Sequence, residues 1–330
     1  REAEKMERQA GESELLLTCL RTPEGIVLLR CAADVPHVVL PDNVLGEPVT
    51  ALGPYALSSR SPDLSGCPDA FPVHITCGGA PPQHDAGVIR SVALPTRLQA
   101  VGDYAFYNCR GLTALTLTGA VERLGSDSFM NCPLQSVTLA LGEDGRSCLR
   151  PLLADCTGDL EVDLLFPLEE RARLFFPAYH EELELLAAPH IFQTRIQGGG
   201  YACRQCVQNG VVDFGAYDAC LDRLLAEHDF RSASRIALDR LRWPFRLSAR
   251  AESDYRASLA VHSSEAVGLL LDRRDLEGLA FLLAQRLLSP AQLSAACDTA
   301  RQRGATEALA LLLEELRPAP GRGLEKSFAL

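Results

Sequence analysis

The chain has 330 residues, 47% of them hydrophobic, and a formal net charge of -11; that length and apolar content support two domains with real cores and exclude general disorder. The acidity is one-sided. Residues 1–195 hold 15 basic and 26 acidic side chains and residues 196–330 hold 17 of each, so the first half lacks the basic stripe that a nucleic-acid partner requires. In chain order, residues 1–12 read as a charged tail. Glu14 to Leu20 and Gly25 to Cys31 then flank Arg21-Thr22-Pro23-Glu24, a hairpin pattern placed to cap the open edge of a sheet.

An internal repeat follows. Leu94-Pro95 leads to Val101-Gly102-Asp103-Tyr104-Ala105-Phe106-Tyr107-Asn108-Cys109, and Val121 leads to Leu124-Gly125-Ser126-Asp127-Ser128-Phe129-Met130-Asn131-Cys132. A looser copy runs from Leu40-Pro41 to Leu52-Gly53-Pro54-Tyr55-Ala56-Leu57. Gly102 to Gly125, Cys109 to Cys132 and Leu98 to Val121 are each 23 residues apart, a period of stacked coils rather than of a compact enzyme domain. Alternating pairs (Val92 and Leu94, Leu115 and Leu117, Val137 and Leu139) predict strands with one buried face. Each glycine is read as permitting a turn. Phe106 and Phe129 are expected inside the coil, with the Asn-Cys pairs at a tight corner where the amide satisfies turn carbonyls. Residues 58–88 form an insertion between the first and second copies, read as a loop on one face.

The Leu-Pro, Val-Gly, Ala-Phe and Asn-Cys pattern resembles the BspA-type leucine-rich repeats, a bacterial and protist subclass, most closely over residues 89–140. The resemblance implies a binding scaffold, with the strand face as the binding surface. Its outward positions are Ser91, Ala93, Ala114, Thr116, Ser136 and Thr138, all small and uncharged.

Residues 158–195 are apolar and punctuated by proline, and read as an ordered connector that caps the repeat. From about Asp213 the period changes from two to 3.6. Helices are expected at Ala216–His228, Ser232–Leu241 and Glu252–Val261, with a break at Trp243-Pro244. Ser289-Pro290 opens a further helix and Gly304 closes it. Asp275 to Leu283 aligns with Ala305 to Leu313 at a spacing of 30. This stretch is similar to the helix-turn-helix units of ankyrin arrays over residues 264–316, without their Thr-Pro-Leu-His start. The helical domain is placed at 196–317 and a tail at 318–330.

Candidate chemistry is sparse. Gly198-Gly199-Gly200 precedes Cys203-Arg204-Gln205-Cys206, with Cys220 and His228 downstream. Zinc needs about four ligands, so these four residues are one reading, and a helix-start turn with free thiols is the other. Cys67, His74, Cys77 and His84 in the insertion match no common zinc spacing. No G-x-S-x-G, H-E-x-x-H or G-x-x-x-x-G-K-[ST] pattern is present. The fold class is therefore read as α+β multidomain, a short leucine-rich-repeat β-solenoid followed by an α-helical, ankyrin-like hairpin domain. The function is read as a non-enzymatic scaffold or adaptor with a protein partner and no cofactor. One alternative is a structural-zinc or redox-responsive protein centred on Cys203 and Cys206; another is an enzyme at the junction near Tyr179, His180 and His190. With no membrane-length apolar run, a charged start and twelve cysteines at repeat and packing positions, a bacterial cytoplasmic location is expected, or export if a leader is removed.

Overall fold

The computed structural model describes residues 6–185 and 192–317, and of these the side chains of 182–185 and 192–195 are left aside. Two compact units are present, Arg1–Cys220 and Leu221–Leu330. The expected tail 318–330 lies outside the described residues.

In the first unit, β1 (Glu7–Ala10), β2 (Leu15–Thr22) and β3 (Gly25–Ala32) open the chain. β2 and β3 pair antiparallel from Leu16↔Ala32 to Thr22↔Gly25, with Leu15, Leu17, Cys19, Ile26, Leu28 and Cys31 all fully buried. Burial pushes the Cys19 and Cys31 thiols up to about 12, which keeps them neutral packing groups. β4 (His37–Val39), β5 (Asn43–Val44) and β6 (Glu47–Leu52) follow. The insertion then differs from expectation, because it contains β7 (Phe71–Thr76), which pairs antiparallel with β2 and parallel with β1. The hairpin is accordingly interior to its sheet rather than at the edge. The stretch read as a charged tail supplies the edge strand β1, where the Gln9 amide binds Asn43 and Leu45 backbone groups.

The repeat builds two layers. β8 (Ser91–Ala93), β10 (Ala114–Thr118) and β12 (Ser136–Ala140) pair parallel in one sheet, while the two-residue strands β9 (Ala100–Val101) and β11 (Arg123–Leu124) run parallel beside β6 in the other. Between the layers the corner residues stack coil on coil. The Phe106 and Phe129 rings lie 4.9 Å apart and nearly parallel, and Leu57, at the corresponding position of the first copy, is fully buried. Cys132 Sγ donates to the Phe106 carbonyl at 3.0 Å and Cys109 Sγ to the Leu57 carbonyl at 3.3 Å, so each thiol ties its coil to the one before.

Two residue roles are corrected here. Gly102 and Gly125 do not adopt a glycine-only backbone angle. A Cβ on Gly102 would lie 2.6 Å from the Gly53 carbonyl carbon, and one on Gly125 would lie 2.4 Å from the Asp103 nitrogen. The glycines therefore let adjacent coil backbones touch. The left-handed positions are Tyr104 and Asn108 in one coil and Asp127 and Asn131 in the next, at φ 55, 61, 50 and 63, a conformation asparagine and aspartate tolerate better than most residues. The two asparagine amides bind each other, Asn131 Nδ2 to Asn108 Oδ1 at 2.7 Å, rather than turn carbonyls.

Helix α1 (Leu149–Asp155) replaces a strand on the fourth coil, and β13 (Leu160–Leu165) continues the parallel sheet against β12. β14 (Arg171–Phe176) then closes that sheet antiparallel. The segment expected to be a connector thus begins as the last two strands of the repeat sheet. Its remainder is the hairpin β15 (His180–Leu185) and β16 (Phe192–Gln197). A short α2 (Gly200–Arg204), the hairpin β17 (Val207–Gln208) and β18 (Val211–Val212), and α3 (Phe214–Asp218) complete the unit. The expected helix 216–228 is divided, and α4 (Cys220–Ala226) follows α3 after Ala219.

Both edges of the repeat sheet end on a hydroxyl. At β4, Val39 N donates to Ser13 Oγ at 2.8 Å and Ser13 Oγ donates to the His37 carbonyl at 3.3 Å. At β14, Phe175 N donates to the Tyr217 hydroxyl and that hydroxyl donates to the Phe175 carbonyl, each at 2.8 Å.

The second unit is helical. α5 (Phe230–Arg242) packs on α6 (Ala249–Val261) and α7 (Ser263–Arg273); α8 (Leu276–Ala284), α9 (Pro290–Gln302) and α10 (Thr306–Leu316) follow. Asp229, Ser248, Asp275 and Ser289 cap their helices through the side chain, and Ser289 forms a reciprocal capping box with Gln292. Asp272 binds both Arg231 and Arg303, joining three parts of the stack. A cleft of about 450 Å³ lies between the α7–α8 and α9–α10 turns, with Leu270, Leu276 and Leu279 on its wall and Arg274 at its rim.

Candidate functional site

The face of the repeat sheet turned away from the core is the largest feature that strand alternation builds. Inward, Val38, Val92, Leu115, Val137 and Val162 form one buried row across five parallel strands. Outward, the register aligns His37, Ser91, Ala114, Ser136 and Glu161 in a first row, and Val39, Ala93, Thr116, Thr138 and Asp163 in a second. A third row comprises Thr118, Ala140 and Leu165. All six residues expected on this face are on it, side by side, none of them buried. His37 Nδ1 meets Ser91 Oγ at 2.8 Å.

The sequence reading stopped two strands short. β13 and β14 add Glu161, Asp163, Leu165, Arg171 and Arg173 to the same face, an extension carried by the alternation in Leu160-Glu161-Val162-Asp163-Leu164. Arg173 binds Asp163 through Nε at 2.8 Å and Nη2 at 2.9 Å, Arg171 Nη2 reaches the same carboxylate at 2.8 Å, and Arg173 Nη1 lies 3.4 Å from Glu161. Partial burial pushes the Asp163 carboxyl up, but the hydrogen bonds and charges of Arg173 and Arg171 outweigh it and hold the group below the usual carboxylate range. The face is therefore a field of small side chains bordered by a charge cluster that neutralises itself.

The expected zinc ligands do not form a centre. Cys203, Cys206 and Cys220 are buried thiols of the first unit, whereas His228 belongs to the second, where its ring meets Phe230, itself stacked on His262 at 4.1 Å. Among the described residues no group of three or more His, Cys, Asp or Glu side chains is arranged to hold a metal ion. Contact with Cys220, then burial, pushes the Cys203 thiol up, and burial does the same to Cys206. The glycine run serves close approach, since a Cβ on Gly200 would lie 1.9 Å from the Pro177 carbonyl oxygen. In the insertion, both nitrogens of His84 are used, one by Ala33 N and one by the Ser58 carbonyl, and His74 Nε2 pairs with Glu14 Oε1 at 2.5 Å.

Of the residues named for an enzymatic junction, Tyr179 and His180 are described, and Tyr179 lines a pocket of about 270 Å³ with Arg150, Tyr201 and Arg204. The Tyr179 ring is buried against Tyr201, with the Arg204 guanidinium 5.0 Å from its centroid. Arg204 was not anticipated as a structural centre. Its donors are directed to the carbonyls of Cys156, Gly158, Pro177 and Gly200, which ties α2 to the loop after α1 and to the end of β14. His180 is exposed on β15, and His190 lies outside the described residues.

Comparison with known proteins agrees with the repeat. Residues 85–148 match the family described as "BspA type Leucine rich repeat region (6 copies)". That match decides one point: the chain contains a leucine-rich-repeat segment. Leucine-rich-repeat proteins generally bind other proteins and are typically non-enzymatic. Among solved structures the chain is similar to a leucine rich cell surface protein from Faecalibacterium prausnitzii, at 15% identity and a TM-score of 0.25, over 46% of this chain and 40% of that one. It is also similar to the T. pallidum leucine rich repeat protein, at 22% identity and a TM-score of 0.21, over 38% of this chain and 72% of that one. No curated protein matches the chain. Among the described residues no helix is long and apolar enough to cross a membrane.

Proposed function

We propose that the chain is a non-enzymatic, protein-binding scaffold that recognises a partner protein across the outward face of its repeat sheet. The observation that carries this reading is the in-register alignment of Ser91, Ala93, Ala114, Thr116, Ser136 and Thr138, since small side chains let a partner approach closely over a wide area. The solenoid reading rests on the 23-residue stacking of the corners. The helical unit is read as ankyrin-like helix pairs offered as a second surface, supported by the 30-residue correspondence of Asp275 with Ala305 and by the cleft beside both turns; two surfaces make an adaptor. A bacterial cytoplasmic setting is the proposed context, in keeping with twelve free cysteines.

The test is affinity capture with the full chain, comparing the natural protein with Thr116→Arg and Thr138→Arg. Both positions face away from the core, so the melting temperature is expected to be unchanged while capture of a defined protein falls at least tenfold. Equal capture by all three proteins would remove the face as the binding surface.

A further inference from the structure

The pocket of about 270 Å³ in the first unit, between α1, α2 and the start of β15, is not accounted for by the repeat. Three charged side chains line it, Arg150, Arg204 and Glu181, and among the described residues none of the three forms an ion pair. Arg204 is only 3% exposed, and its five N–H groups are all spent on carbonyls. Those bonds satisfy its hydrogens but bring no formal negative charge. A buried cation therefore stands at the pocket wall without a carboxylate, and burial lowers it from the ordinary arginine value. Arg150 gives one bond from Nη1 to the Val207 carbonyl at 3.0 Å and one from Nη2 to Gln205 Oε1 at 2.9 Å. The rest of its guanidinium N–H groups are free to donate.

The tyrosines add donors. The Tyr179 and Tyr201 rings meet edge-on at 5.4 Å, and among the described residues neither hydroxyl has a protein partner. A phenol as buried as Tyr179, 6% exposed, normally finds a partner for its hydroxyl. That hydroxyl is not sealed in, so it is available to a molecule in the pocket. Two guanidiniums against one carboxylate leave a single net positive charge, which suits a monoanion better than a dianion. Leu153, Ala154 and the two rings supply apolar wall, so the anion carries an apolar body. The volume lies just under the roughly 300–1,000 Å³ of ordinary ligand pockets, which keeps that body compact.

We propose that this pocket binds a small monocarboxylate with a compact apolar body, the carboxylate held by Arg150 and the two tyrosine hydroxyls in the field of Arg204. The site is independent of the sheet face and of any protein bound there. Glu181 sets its selectivity, since a carboxylate at the pocket repels a second negative charge on the ligand.

The test uses the full chain and follows binding by calorimetry and by saturation-transfer NMR of the ligand. The probes are benzoate and butyrate, with benzamide as the uncharged counterpart of benzoate and inorganic phosphate as the competing anion. Saturable binding of a monocarboxylate is expected with a dissociation constant of about 1 mM, as a ligand of so few atoms allows, with benzamide and phosphate at least about tenfold weaker. Tyr179→Phe, which removes an unbonded hydroxyl, and Arg150→Gln should each weaken the monocarboxylate about tenfold at an unchanged melting temperature. Arg204 is left intact because it ties α2 to its neighbours. Glu181→Gln should tighten phosphate while keeping the monocarboxylate. Equal binding of benzoate and benzamide, or unchanged binding in both folded variants, would refute the site. Phosphate binding tighter than either monocarboxylate overturns the ligand class, and no saturable binding of benzoate or butyrate up to ~20 mM overturns the proposal.

Discussion

Replacing Tyr217 by phenylalanine removes one oxygen and nothing else. The ring stays in place, fully buried and edge-on to Phe176 at 5.7 Å, so no cavity opens. What is lost is the atom that meets both backbone groups of Phe175 at 2.8 Å, in a strand residue only 2% exposed. Leaving a buried polar group without its partner costs about 1–3 kcal/mol, and two such groups on one residue put the expected loss at about 3 kcal/mol. With a urea dependence of about 3 kcal/mol/M, the midpoint of the first unit should fall by about 1 M at unchanged slope. Ser13→Ala, at the opposite edge, is the internal comparison. It removes the same bridging role beside exposed His37, where water can substitute, so a smaller loss of about 1 kcal/mol is expected. Equal midpoints for Tyr217→Phe and the natural chain would refute the argument that the hydroxyl holds this edge.

Further expectations follow from other contacts. Gly125→Ala places a Cβ 2.4 Å from the Asp103 nitrogen and should destabilise the first unit by about 3 kcal/mol in thermal melts, whereas Gly66→Ala, with nothing within 4 Å, should stay within about 0.5 kcal/mol. Phe129→Ala deletes the ring stacked on Phe106 and should cost about 3–5 kcal/mol in the same assay. Burial pushes Glu14 up, but hydrogen bonds from Thr76, Gly79 and Cys77 outweigh it and lower its carboxyl to about 2 from 4.5. The folded state therefore gains stability from Glu14 above about pH 4.5 and loses it as pH falls toward 2, so urea midpoints should drop across that window more steeply for the natural chain than for Glu14→Gln.

Much of this fold is legible in the chain because period and chemistry coincide. The 23-residue spacing of Phe106 and Phe129 and of Cys109 and Cys132 predicts stacked coils, and the stacks form. The alternation around residues 91, 114 and 136 predicts the strand face with its correct side outward. The reading failed where the deciding contact is distant. Pro72 conceals β7, since proline argues against a strand with neighbours on both sides, yet the strand pairs with β2 and β1. Proline punctuation likewise made 158–195 look like a connector although residues 160–165 alternate cleanly. Arg204 shows the limit most sharply. Its carbonyl partners at 156, 158 and 177 lie 27 to 48 residues away in the chain, and nothing local announces that an arginine within a C-x-x-C motif is a structural pin.

The two hydroxyl bridges also bear on how this sheet could engage a partner. An open sheet invites another strand at its edge, and proteins that do not use that mode block it. Here Ser13 and Tyr217 occupy backbone donor and acceptor positions at opposite ends of the same six-stranded sheet, using residues from outside it. Strand addition would have to displace a bond of 2.8 Å at either end. What remains accessible is the outward face, whose small residues lie between those two bridged edges. The same hydroxyls that stabilise the fold therefore make strand addition at these positions costly, so the proposed scaffold role falls to side-chain contact across the face, where Thr116 and Thr138 are the positions that test it.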